Sequence, residues 1–151
     1  EETRTVLLDF DLRSPTLANT LGVMPEGSMQ DYLAGRVEPE DFLLRVRDNL
    51  ALGLNDKPVP NAAELFQETM SAYVLDELQD ILCPDVILLD LPPALNHDDV
   101  LAILPNVDGV LMVVGGGITT ADDITQVERL LGDIKPLMGE VLNKADGTVS
   151  V

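Results

Sequence analysis

Short apolar runs recur along the chain at Thr5–Phe10, Leu50–Leu54, Val86–Leu91, Gly109–Val114 and Met138–Asn143. Each is too brief for a buried helix and too uniformly apolar for a strand with one wet face, so the runs predict strands covered on both sides. Helical periodicity fills the intervals. The longest helix is expected to open at Asn61, an N-cap with Glu64 three residues on. Leu65, Leu75, Leu78 and Leu82 would then point inward, with Asp76, Glu77 and Asp80 in water. A later helix should begin at Thr119-Thr120, where Asp122 and Asp123 suit the positive end of its dipole. Gly35 and Gly132 read as helix stops, and Lys57-Pro58-Val59-Pro60 as a stiff loop. Strands separated by ten or more residues need crossover connections. The predicted fold is therefore α/β, a doubly wound, mostly parallel sheet with helices on both faces. No repeat or second domain is visible, so residues 1–151 read as one domain.

Two of the predicted strands end in acids: Val6-Leu7-Leu8-Asp9-Phe10-Asp11-Leu12-Arg13-Ser14-Pro15 and Val86-Ile87-Leu88-Leu89-Asp90-Leu91-Pro92-Pro93. A buried parallel strand delivers such a residue to the carboxyl edge of its sheet, where open α/β sheets bind ligands. Carboxylates on neighbouring strands can hold hydrated Mg2+, a cation that usually takes one or two carboxylates plus phosphate oxygens. Either Asp alone could equally end its strand or cap the next helix. The concentration of Asp9, Asp11 and Arg13 at one strand end favours the ligand-binding reading.

The net charge is −18, and no Lys or Arg occurs between Lys57 and Arg129. Binding to nucleic-acid phosphates needs clustered cations, so a nucleic-acid partner is not expected. The same field repels anionic lipid, and no apolar run approaches the ~18 residues of a membrane span. Any membrane association would run through a partner protein. The single Cys83 cannot form an internal disulfide, which suits a reducing cytoplasm. It is expected to be a packed thiol.

The segment Val6–Pro15 resembles the second acidic motif, and Val86–Pro93 the Walker B strand, of the MinD/ParA-like P-loop ATPases. Within that group the chain is most similar to the bacterial tyrosine kinases of capsule and exopolysaccharide synthesis. The segments Gly27–Gly35, Asn61–Leu65, Val107–Val114 and Gly139–Lys144 agree in order. The resemblance implies a nucleotide-binding domain that uses ATP and Mg2+. It places Asp9 and Asp90 at the metal and gives Asp11 the positioning or deprotonation of the attacking group. Arg13 would stabilise phosphate charge or pair with Asp11, and Asn143 would meet adenine. Asn143-Lys144-Ala145-Asp146 also fits the guanine-recognition pattern Asn-Lys-x-Asp. The implied function is phosphotransfer by a tyrosine autokinase regulating exopolysaccharide synthesis. A membrane polysaccharide co-polymerase or adaptor is its implied partner, with self-association into a homo-oligomer. The alternatives are an ATPase switch controlling dimerisation and localisation, and a degenerate interaction module without catalysis.

Several features depart from the family pattern. No Gly-x-x-x-x-Gly-Lys-Ser/Thr loop precedes Val6. A first strand, phosphate loop and helix are expected upstream of the residues given. Gly115-Gly116-Gly117 is followed by no Lys-Ser/Thr pair and reads as a tight turn. Leu91 stands where the family commonly has Thr. The only tyrosines are Tyr32 and Tyr73, with no tyrosine-rich tail. His97, the only histidine, reads as a capping or surface residue and not as a metal ligand.

Overall fold

The computed structural model describes residues 3–67, 69–96, 98–132 and 134–145. They fall into two compact units, residues 1–102 and residues 103–151.

The first unit is built on a sheet of β1 (Thr5–Asp9), β2 (Leu44–Arg47), β3 (Leu50–Gly53) and β4 (Val86–Asp90), in the order β2-β3-β1-β4. β1 runs parallel to β3 and to β4, so the two acid-ending strands are neighbours. Their carboxylates arrive together, because Asp9 is in register with Asp90 and the ladder continues through Phe10 N–H to the Asp90 carbonyl at 2.8 Å.

β2 is antiparallel to β3 and was not expected from the apolar runs. Its sequence, Leu44-Arg45-Val46-Arg47, alternates with the two-residue period of a strand that has one wet face. The helices α1 (Leu17–Leu21), α2 (Met29–Leu33) and α3 (Pro39–Phe42) lie between β1 and β2. Gly35 follows α2 with φ +66°, the left-handed stop its type predicts.

The expected long helix starts at Ala62, and Leu65 N–H bonds back to the Asn61 carbonyl. It is described as α4 (Ala62–Gln67) and α5 (Thr69–Leu82), with Glu68 outside the described residues. Leu65, Leu75 and Leu78 are buried as expected, Asp76 and Asp80 are exposed, and Leu82 and Glu77 are only half-buried. Phe66 of α4 stacks on Phe10, ring centroids 5.1 Å apart, which packs the helix over the end of β1. Cys83 corrects the expectation of a packed thiol. It follows the last turn of α5 with φ +43°, is exposed, and its thiol donates to the Asp80 carbonyl at 3.4 Å. A short α6 (Asp99–Ile103) follows β4.

β4 pairs only with β1 among the described residues, and on one of its faces Val86 and Leu88 are exposed, the latter by 51%.

The second unit contains β5 (Val110–Gly115), α7 (Ala121–Leu131) and β6 (Leu137–Asn143), with β5 and β6 parallel. Thr120 caps α7 as expected. Its hydroxyl accepts from Asp123 N–H, and the Asp123 carboxylate accepts from Thr120 N–H, a complete capping box. Gly132 ends this helix with φ +45°. The glycine triplet forms the expected turn: a Cβ on Gly116 would lie 2.9 Å from the Lys144 carbonyl oxygen, and Gly117 has φ +71°.

Candidate active site

Asp9 ends β1 fully buried, 0% exposed. Its Oδ2 accepts a hydrogen bond from Leu17 N–H at 3.3 Å, where the chain returns after the loop 10–16 to begin α1. Its Oδ1 has no partner. A buried carboxylate oxygen without a donor is costly unless a cation or proton meets it. Burial chiefly raises the Asp9 pKa, to about 6; the Leu17 N–H and, more weakly, the Asp11 N–H oppose the rise, and the charges of Asp90 and Asp11 add to it.

Asp90 is half-buried at the end of β4, and its pKa is also raised, by burial and then by Asp11. Asp11 lies beyond the end of β1, and its Oδ1 accepts from Ser14 N–H at 3.1 Å. Asp11 raises the pKa of both other acids, so the three predicted carboxylates form one electrostatic cluster.

Arg13 does not pair with Asp11, correcting that expectation. The Asp11 carboxylate caps the turn to Ser14, while Arg13 reaches 86 residues along the chain to Asp99. Arg13 Nε donates to Asp99 Oδ2 at 2.6 Å and Nη2 to Oδ1 at 3.0 Å, a bidentate fork. The Asp99 side chain is 1% exposed. Asp99 is not among the candidate residues that the sequence singles out. His97 lies outside the described residues, as does Asp146 of the Asn-Lys-x-Asp pattern.

Asn55 was missed as well. It is buried just past β3, where its Oδ1 accepts from Met29 N–H at 3.0 Å and its Nδ2 donates to the Asp9 carbonyl at 3.3 Å. It thereby braces the backbone of Asp9 against the start of α2. The available signal was the one used for Asp9 and Asp90, an apolar strand ending in a polar side chain.

Among the described residues, no three Asp, Glu, His or Cys side chains are placed to hold a metal by themselves. Two carboxylates, one with an unpartnered buried oxygen, suit Mg2+, which keeps waters and substrate phosphates in its remaining positions. Leu91 supplies no hydroxyl beside them.

In the second unit, Asn143 ends β6 exposed, in register with Gly115, and its Oδ1 accepts from Lys144 N–H at 2.8 Å.

No protein-family model matches the chain. It is 27% identical over 146 residues to the tyrosine-protein kinase etk of Escherichia coli K12, covering 93% of this chain. It is 27% identical over 150 residues to the succinoglycan biosynthesis transport protein ExoP of Rhizobium meliloti, covering 95%. The chain spans 19% of the length of each of these relatives. Among solved structures, the kinase domain of VpsO superposes with a TM-score of 0.84 at 24% identity, over 95% of this chain and 71% of that one. The cell division ATPase MinD of Pyrococcus furiosus gives 0.70 at 28% identity, over 93% and 59%. A cobyrinic acid a,c-diamide synthase of Mycobacterium smegmatis with bound ADP and magnesium gives 0.67 at 23%, over 96% and 64%. Tyrosine-protein kinases are thus among the homologues of this chain, and its fold is that of the VpsO kinase domain and of MinD.

Proposed function

We propose that the carboxyl edge of β1 and β4 is the metal and phosphate end of an ATP-dependent phosphotransfer site, in a tyrosine-kinase-type domain serving exopolysaccharide synthesis. The observation that carries this reading is the fully buried Asp9, its Oδ1 unpartnered, in register with Asp90. The kinase and succinoglycan names of the relatives support the reaction and its setting.

When bound there with ATP as substrate, Mg2+ would neutralise charge on the phosphoryl oxygens. Asp9 and Asp90 hold that end of the site, and a cation relieves their mutual repulsion. Asp11, outside the strand, orients the attacking hydroxyl or accepts its proton. Arg13 stays engaged in its fork with Asp99; in the second unit, Asn143 is the candidate residue for contact with a base. Tyr73 is exposed and can serve as an acceptor, whereas Tyr32 is buried against Phe42, ring centroids 4.5 Å apart. Among the described residues β4 stands at the edge of its sheet, where a further strand carrying a phosphate loop could pair.

Among the described residues no helix is long and apolar enough to cross a membrane. With a net charge of −18, the domain would work in the cytoplasm and reach the membrane through a co-polymerase or adaptor, as a homo-oligomer. The likeness to MinD favours a second reading, an ATPase switch. Incubating the full-length protein with MgATP labelled in the γ-phosphate separates the two. Phosphotyrosine supports the kinase, inorganic phosphate alone supports the switch, and absence of both products rejects phosphotransfer.

A further inference from the structure

The loop that leaves β1 and the start of α6 beyond β4 are tied together by an ion pair whose carboxylate, on Asp99, is buried and whose guanidinium, on Arg13, is half-buried. Arg13 lies four residues past Asp9 and Asp99 nine past Asp90, and the fork between them closes at 2.6 and 3.0 Å. On the β1 side, Leu17 N–H on Asp9 Oδ2 stitches the loop back to its own strand, and Ser14 N–H on Asp11 Oδ1 closes a turn within the loop. Arg13 is therefore pinned within the segment whose amides hold the two candidate acids. A buried carboxylate with a bidentate guanidinium is a directional fastener, because the planar fork fixes both distance and orientation.

We propose that Asp99 is a positioning residue: by gripping Arg13 it clamps the loop after β1 against the start of α6, and so keeps Asp9 and Asp11 at a fixed spacing from Asp90. Its consequence for catalysis rests on the metal and phosphate reading given above. The clamp itself does not. Arg13 is then occupied by Asp99 in the working state and is not a reserve phosphate ligand.

The test uses the full-length protein with Asp99→Asn, which keeps shape and one acceptor, and Arg13→Lys, which keeps charge but cannot fork. Two readouts are taken beside melting temperature. The first is amide exchange, which needs no ligand. Ser14 and Leu17 amides should exchange at least tenfold faster in both variants, while Val6 and Leu8 amides in β1 stay protected. Unchanged protection at Ser14 and Leu17 overturns the clamp.

The second readout is ADP affinity with and without Mg2+. Both variants should lose about tenfold of the Mg2+-dependent gain and none of the metal-free affinity, and combining them should cost no more than either alone. Asp99→Asn binding ADP more tightly, with Arg13→Lys binding more weakly, would show that Arg13 contacts phosphate once released, and overturns the proposal. If Asp9→Asn and Asp90→Asn leave the Mg2+ gain intact, the metal reading fails, while the exchange data still decide the clamp.

Discussion

Asp9 and Asp90 form the last register pair between β1 and β4, so two carboxylates stand side by side on adjacent parallel strands at one edge of the sheet. Burial raises both pKa values; the charges of Asp90 and Asp11 add to the rise at Asp9, and that of Asp11 to the rise at Asp90. Without a cation the arrangement is strained electrostatically at neutral pH, and that strain is measurable.

The Asp9 pKa is raised from 3.8 to about 6, so the folded state favours the protonated form. The stability this confers is complete below about pH 4 and is lost as pH rises through about 6. The difference corresponds to about 3 kcal/mol. Asp9→Asn should therefore be more stable than wild type by about 2–3 kcal/mol at pH 7.5 without Mg2+, with the gap closing below about pH 4. Urea unfolding at a series of pH values checks this, and a gap independent of pH would contradict it.

Asp11 is exposed to a different demand. If it orients or deprotonates the attacking hydroxyl, Asp11→Asn in the full-length protein should leave nucleotide affinity nearly intact while slowing turnover about a hundredfold or more. A parallel loss of affinity would place Asp11 at the metal. A loss of activity that only follows melting temperature would make it a turn residue for Ser14.

Both acids, their strands and the start of the helix at Thr119-Thr120 were legible in the sequence because each rests on local chemistry: an apolar run, its terminal residue, acids in a first helical turn. Asp99 and Asn55 were not. Their roles depend on partners 86 and 46 residues away, and no local pattern specifies which buried carboxylate Arg13 will find. β2 was hidden for another reason, since its two arginines gave it none of the apolar character of the central strands. Cys83 is exposed and sits at a left-handed backbone position that the residue type does not announce.

Residues 1–151 contain no lysine-bearing phosphate loop. Alone, they should bind MgATP weakly or not at all, because two carboxylates without a phosphate cradle leave most of the triphosphate charge unmet. Calorimetric titration decides this, and a micromolar dissociation constant would show that the phosphates are held by other groups.

The charge distribution gives a prediction about partners. With no Lys or Arg between Lys57 and Arg129, the chain should show no salt-dependent binding to duplex DNA or to vesicles of anionic lipid. Gel shift and vesicle sedimentation at low salt are the assays, and retention in either would reverse the electrostatic reading.

The most direct measurement is the Mg2+ dependence of nucleotide affinity in the full-length protein, compared among wild type, Asp9→Asn and Asp90→Asn. Wild type should bind ADP more tightly with Mg2+ than without it. Each variant should lose that gain and its turnover while remaining folded at neutral pH. A stably folded Asp90→Asn protein with the Mg2+ gain and turnover unchanged would contradict a metal site at the carboxyl edge of β1 and β4.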